Sequence, residues 1–186
     1  MDPRQPQSLP AELRTERLLL RCWRPQDRIA FARMNADPRV MEFFPAVQSR
    51  EESDAVADRI EAHFQQHGFG LWAVEIPGIT PFAGFIGLTH TRFETHFTPT
   101  VEIGWRLAAD HWNRGYATEG ARAALDFGYT TLGLNEIVSF TVPTNLRSRR
   151  VMEKIGMMHC PDDDFDHPLV PEGHRLRRHV LYRLGR

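Results

Sequence analysis

The feature that most constrains this chain is a strand and a short polar loop ending in a glycine turn that opens directly into an amphipathic helix: "VEIGWRLAADHWNRGYATEGARAALDFGYTTLG". From Thr118 onward, Ala121, Leu125, Gly128 and Leu132 recur at steps of four, three and four, which places them on one stripe of a 3.6-residue helix. Glu119, Arg122 and Asp126 fall off that stripe and read as solvated. Gly133 stands where a helix ends in a left-handed residue. "EIVSF" follows as a strand, so the unit is strand–loop–helix–strand with both strands in one sheet. The first N–H groups of a helix lack partners within it and sit at the positive end of its dipole. Gly115 lets the backbone approach a bulky anion, and Ala117 is small enough not to block it. A phosphate or pyrophosphate fits such a turn; plain strand-to-helix punctuation is the competing reading.

Spacing excludes two other phosphate sites. The chain has no Gly-Lys-Ser/Thr triplet, which a P-loop requires. Gly115, Ala117 and Gly120 do spell G-x-A-x-x-G. A dinucleotide fingerprint, however, needs its first glycine directly after the strand and an acid at the end of the next one. Here eight residues run from Leu107 to Gly115, and Glu136 precedes "IVSF" instead of following it.

The flanking segments supply the rest of the sheet. "TERLLLRCW" is an apolar strand, and "RPQDRIAFARMNADP" is a helix between Pro25 and Pro38. "PRVMEFFP" is a short helical turn. "SREESDAVADRIEAHFQQHG" is a helix with Ser49 and Glu52 as a capping box. "GLWAVEI" and "PFAGFIGLTHT" are strands joined by a Pro-Gly turn. After "EIVSFTV", a helix runs from Asn145 as cap to Gly156 as stop, and "RRHVLYRL" closes the chain as a strand. The order β-α-α-β-β-β-α-β-α-β gives an α/β (α+β) fold, a three-layer arrangement around a mixed sheet. At 186 residues the chain has the length of a single domain, 1–186, with a polar, Pro-rich leader over residues 1–14 and no signal peptide. No apolar run is long enough to span a membrane. A net charge of −1 offers no global attraction to nucleic acid.

Other residues carry two readings each. Cys22 and Cys160 have no metal-like spacing and read as buried or reduced thiols in a cytoplasmic protein. His63 and His67 share a helix face, but no acid follows His63, so a surface pair is favoured over a metal site. Glu102 points away from Val101 and Ile103, either into solvent or into a cleft where burial would raise its pKa towards that of a base. Arg147, Arg149 and Arg150 form a solvated face or reach an anion. "DDDFDHP" is an acidic loop, or it lines a pocket where Asp164 and Asp166 would favour a cation. Phe43 and Phe44 are core residues or walls of that pocket.

Taken in order, "TERLLLR", "NADPRVMEFFP", "FAGFIGL", "VEIGWRL", "HWNRGYATEGARAALDFGY" and "NLRSRRVMEKIGM" resemble the GNAT N-acetyltransferase superfamily, and within it the RimJ/RimL-like ribosomal-protein N-acetyltransferase branch. The resemblance runs from about Thr15 to Leu184. It implies a mixed sheet of about seven strands, helices on both faces, and a splay between the fourth and fifth strands that holds acetyl-CoA. By the same resemblance the backbone of Trp105, Arg106 and Leu107 pairs with the pantetheine arm. Asn113, Arg114, Gly115, Tyr116, Ala117 and Thr118 hold the pyrophosphate, with Asn145 and Ser148 beside the cofactor. This chain has Trp112 at the first position of the family's Gln/Arg-x-x-Gly-x-Gly/Ala pattern and Asn113 where the branch often has glycine. It has Met152 where many members carry a tyrosine that protonates the leaving thiolate, and Ser148 is the nearest hydroxyl in that motif.

The resulting expectation is an acyltransferase that moves an acetyl group from acetyl-CoA to a primary amine by direct attack, with no metal. Glu102 is the candidate base and Ser148 the candidate acid. The acceptor is a small amine or a protein N-terminus, and a homodimer is left open. Two rivals come from other classes: an acyl-CoA-binding protein without transfer chemistry, and a ribosome- or RNA-associated module using "LRSRR" and "HRLRRH".

Overall fold

The computed structural model describes residues 12–186. Leu13–Arg14 (β1) pairs with Leu19–Arg21 (β2), so the end of the segment read as a leader belongs to the sheet; its remainder, up to residue 11, lies outside the described residues. Asp27–Asn35 (α1) and Arg50–His67 (α2) follow. The "PRVMEFFP" segment between them folds as a series of turns, without a helix. Leu71–Ile76 (β3), Thr80–His90 (β4) and Val101–Leu107 (β5) form an antiparallel run. Tyr116–Thr130 (α3), Glu136–Thr141 (β6) and Leu146–Lys154 (α4) come next. The two-residue strands Met158–His159 (β7) and Phe165–Asp166 (β8) precede the closing Arg178–Gly185 (β9). The sheet has nine strands in the order β1-β2-β3-β4-β5-β6-β9-β7, with β8 paired to β9 off that path. Strands of two residues are too short for alternation to reveal, which is why the sequence suggests fewer.

Two apolar layers fix the helices on opposite faces. Ile86, Leu88, Val101, Ile103 and Leu107 pack with Ala121, Ala124 and Leu125 of α3 and Met152 of α4. Ala73, Phe82 and Phe85 pack with Phe31 and Met34 of α1 and Ala57 of α2. Glycine sets how closely α3 approaches the sheet: a Cβ at Gly120 would stand 2.5 Å from Ile86 Cδ1. The capping box of α2 forms as the sequence predicts, with Ser49 accepting from Glu52 N–H and Glu52 accepting from Ser49 N–H. At the start of α1 the buried Arg21 guanidinium grips both oxygens of Asp27 at 2.8 and 2.9 Å. Such paired geometry is what makes a buried charge tolerable.

The sheet is continuous except at its middle. β5 pairs with β4 along seven residues, from Val101↔His90 to Leu107↔Gly84. With β6 it shares one parallel pair, Glu102↔Val138. Beyond that pair the two strands diverge, and this is the splay expected between the strands the sequence reading numbers fourth and fifth.

Candidate active site

The buried hydroxyl of Ser139 on β6 closes the vertex of the splay by donating to the carbonyl of Ile103 at 2.9 Å. That bond fixes the polarity of β5. If the Ile103 carbonyl faces β6, the alternation of a strand sends the N–H and C=O of Trp105 and Leu107 the same way. Past the vertex these groups border the open gap. The Leu107 carbonyl already accepts from Trp112 Nε1 at 2.8 Å, which ties the loop back to the strand.

The turn that ends this loop has two left-handed residues, Asn113 at φ 58° and Gly115 at φ 82°. Asn113 takes the conformation its short polar side chain permits. α2 and α4 each begin with a side-chain cap, but α3 has none, so the first amides of α3 are left to water or a ligand. The turn is held from outside. Arg17 donates to the Arg114 carbonyl at 3.0 Å and lies over the Tyr116 ring at 4.8 Å. Glu119 fastens Arg17 in turn, accepting from its N–H at 2.9 Å and its Nε at 2.7 Å, and from Thr15 Oγ1 at 2.6 Å. Glu119 is therefore an anchor and not the solvated residue its helical position suggests.

On the far side of the gap Asn145 caps α4, accepting from Ser148 N–H at 3.2 Å. Its amide nitrogen donates to Thr141 Oγ1 at 3.0 Å and to Ser148 Oγ at 3.1 Å. Because Ser148 Oγ accepts that bond, its own proton is directed elsewhere.

These parts meet in one cavity of about 720 Å³. Its lining includes Glu102, Trp105, Arg106, Leu107, Asn113, Gly115, Tyr116, Ala117, Thr118, Asn145 and Ser148. The Glu102 side chain leans over Gly104, where an added Cβ would meet nothing nearer than Glu102 Oε1 at 3.7 Å. Burial pushes the Glu102 carboxyl up to about 8, against a smaller opposing pull from Arg92. A gap bordered by strand amides, an uncapped helix and a carboxyl of raised pKa suits an anionic thioester and an amine that must lose a proton.

Comparison with known proteins decides the family. Residues 17–158 match the model of the acetyltransferase (GNAT) domain. The chain belongs to the GNAT acetyltransferase family. It is 33% identical over 160 residues to YnaD of Bacillus subtilis (strain 168), described as an uncharacterized N-acetyltransferase, covering 86% of this chain and 88% of that protein. It is 29% identical over 134 residues to an FsC-acetyl coenzyme A-N(2)-transacetylase of Aspergillus fumigatus, covering 68% of this chain and 56% of that protein. An acetyltransferase of Agrobacterium tumefaciens superposes with a TM-score of 0.78 at 29% identity over the whole of both chains. Mycobacterium smegmatis RimJ, solved in complex with CoA-disulfide, has the same fold, with a TM-score of 0.69 at 21% identity over 90% of this chain and 81% of that one. Acetyl-CoA-dependent N-acetyl transfer to an amine follows from membership, and the reading of a CoA-binding protein without chemistry is not favoured.

This GNAT domain departs from the sequence expectations at several residues. Arg114 does not line the cavity; its carbonyl is occupied by Arg17. Arg149 is turned away, donating to Tyr182 Oη and the Pro143 carbonyl, while Arg147 and Arg150 do reach the cavity wall. Asp164 accepts from His159 Nε2 and Leu181 N–H, and Asp166 pairs with Arg177 and Arg178, so neither acid faces the cleft. The residue of that loop that does is His167, joined by His179 across the β8–β9 ladder. Burial, followed by the proximity of His179, lowers His167 to about 4, so its imidazole is neutral at ordinary pH. Charge pattern drew attention to the aspartates; the signal for the histidines was the strand pairing itself. Phe43 and Phe44 do wall the cavity. Cys22 and Cys160 are exposed and form no disulfide, so they are not the buried thiols that were one of the two readings. His63 and His67 are joined by His90, with ligand atoms within 4.8 Å of one another. Burial lowers His63, with smaller contributions in the same direction from His67, His90 and Arg92.

Proposed function

We propose that the acetyl group passes directly from acetyl-CoA to the amine nitrogen in the space over Gly104, with Glu102 receiving the amine proton. The observation that supports this reading is the convergence of the Glu102 carboxyl, the gap-facing amide of Trp105 and the uncapped turn at Gly115 on one cavity. The pantetheine arm lies along Trp105 to Leu107, and the pyrophosphate sits on the turn from Asn113 to Thr118. The amine lone pair attacks the thioester carbonyl carbon, and the N–H proton goes to the Glu102 carboxylate. β5 N–H groups, that of Trp105 foremost, stabilise the tetrahedral oxyanion. Collapse breaks the C–S bond, and the sulfur takes a proton from Ser148 Oγ, which is replenished from solvent.

A second reading of the base rests on a specific observation: His167 and His179 line the same cavity, and burial favours the neutral form of both. CoA-thiol release with a panel of primary amines, followed across pH, tests both readings. A break near pH 8 that disappears in Glu102→Gln supports the carboxylate. A profile that has no break near pH 8, survives Glu102→Gln and is lost in His167→Ala moves the role to the histidine, whose own break lies near pH 4.

A further inference from the structure

Resting on the reading of this cavity as the transfer site, we infer that Arg106 anchors an oxyanion of the acceptor, so that the amine acetylated here carries a carboxylate on the same molecule.

Arg106 belongs to the acceptor side by geometry. Glu102, Gly104 and Arg106 alternate with Ile103 and Leu107, which face α3 and its turn. The Arg106 side chain leaves for the other face, where it lies over the ring of Phe44 at 4.1 Å and that of Phe85 at 5.4 Å. It is thus on the side away from the pyrophosphate turn.

Its charge is unmatched. Among the described residues no carboxylate stands within ion-pair distance of Arg106, and its one hydrogen-bonding partner is neutral, Asn35 Oδ1 at 2.7 Å. Its Nε is buried with no partner. The contrast with Arg21 is direct, since that buried guanidinium has Asp27 across both of its arms. A sequestered cation without a counter-charge is costly, and a ligand oxyanion offsets that cost. Burial also lowers Arg106 to about 10, which an arriving anion would reverse.

The path between the two groups is open. Gly104 leaves the strand face bare between Glu102 and Arg106. The two Cα atoms, four residues apart on one strand, are separated by about 13 Å, and the Glu102 side chain leans over the intervening Gly104. Apolar walls from Val40, Phe44 and Leu71 flank this stretch. Among the described lining residues Glu102 is the sole acid, so a polyamine or aminoglycoside would find no second carboxylate.

The test uses the full chain loaded with CoA. Ligand-observed NMR compares 3-phenylpropionate with 3-phenylpropionamide, probes that share the apolar part and differ in the charge. The acid is expected to bind at least about tenfold tighter than the amide. Arg106→Gln should bring that ratio to about one, and Arg106→Lys should keep part of it. The far-UV circular dichroism spectrum and melting temperature of each variant report that the fold is intact. In turnover, β-alanine should be preferred to β-alaninamide, with the effect of Arg106→Gln appearing in the KM of the acid. Equal binding of acid and amide to the unaltered chain, or an acid preference that survives Arg106→Gln, overturns the inference. Absence of thiol release with every amine would instead sink the transfer reading, while the binding ratio still decides the anchor.

Discussion

At the scale of single residues, Glu102 carries opposed demands. As the base proposed above it must be ionised, yet burial holds its carboxyl at about 8. The active carboxylate therefore grows with pH, and kcat/KM should climb roughly tenfold per unit below about pH 8 and level off above it. Glu102→Gln should lower kcat by about 10²- to 10⁴-fold and leave acetyl-CoA affinity in place, read by steady-state kinetics and calorimetry. Stability runs the other way. With a folded pKa above the unfolded value of 4.5, the native state binds the proton more tightly over the window from 4.5 to about 8, so stability falls as pH rises through it. Glutamine has no charge to bury, and Glu102→Gln should melt at a higher temperature than the parent above about pH 8. The sequence showed which face of the strand Glu102 occupies, because alternation is local. Whether that face met water or a cavity depended on Thr89, Phe140 and His179 arriving from other strands, which no local pattern records.

At the scale of elements, the turn and α3 were the most legible part. The helix stripe and the positive φ values of Asn113, Gly115 and Gly133 follow from residue type. Gly115→Val places a β-branched residue at φ 82°, with its Cβ 3.3 Å from Arg17 Nη2. A left-handed conformation costs an ordinary residue about 1–2 kcal/mol, and the added bulk obstructs the anion. Calorimetric titration should show acetyl-CoA binding weakened at least about tenfold. What the sequence hid was the brace. Glu119 and Arg17 are 102 positions apart, and helical periodicity can only say that Glu119 lies off the apolar stripe. Arg17→Ala should raise the acetyl-CoA Kd several-fold and barely move the melting temperature, since the Arg17 side chain is itself exposed and Glu119 keeps its bond from Thr15. The acidic loop misled for a related reason: counting charges cannot show that Asp166 already faces Arg177 and Arg178.

At the scale of the whole molecule, a net charge of −1 coexists with a cleft whose described lining holds Arg106, Arg147, Arg150 and Lys154 against Glu102 alone. Composition averages this separation away, which is why the overall charge was silent about the ligand. Acetyl-CoA association should slow as salt is raised, despite the like sign of protein and cofactor, and Arg150→Gln should flatten that dependence in stopped-flow measurements. The single β5–β6 pair also has a mechanical meaning. β1 to β5 form one leaf and β6 to β9 another, and within the sheet the Glu102↔Val138 pair is the axle between them. In a rotation, displacement grows with distance from the axis. Any swing of the leaves would therefore open the gap most near Leu107 and displace Glu102, the base proposed above, least. Ser139→Ala, which removes the bolt to the Ile103 carbonyl, should let the axle wander: kcat should fall several-fold while acetyl-CoA Kd holds.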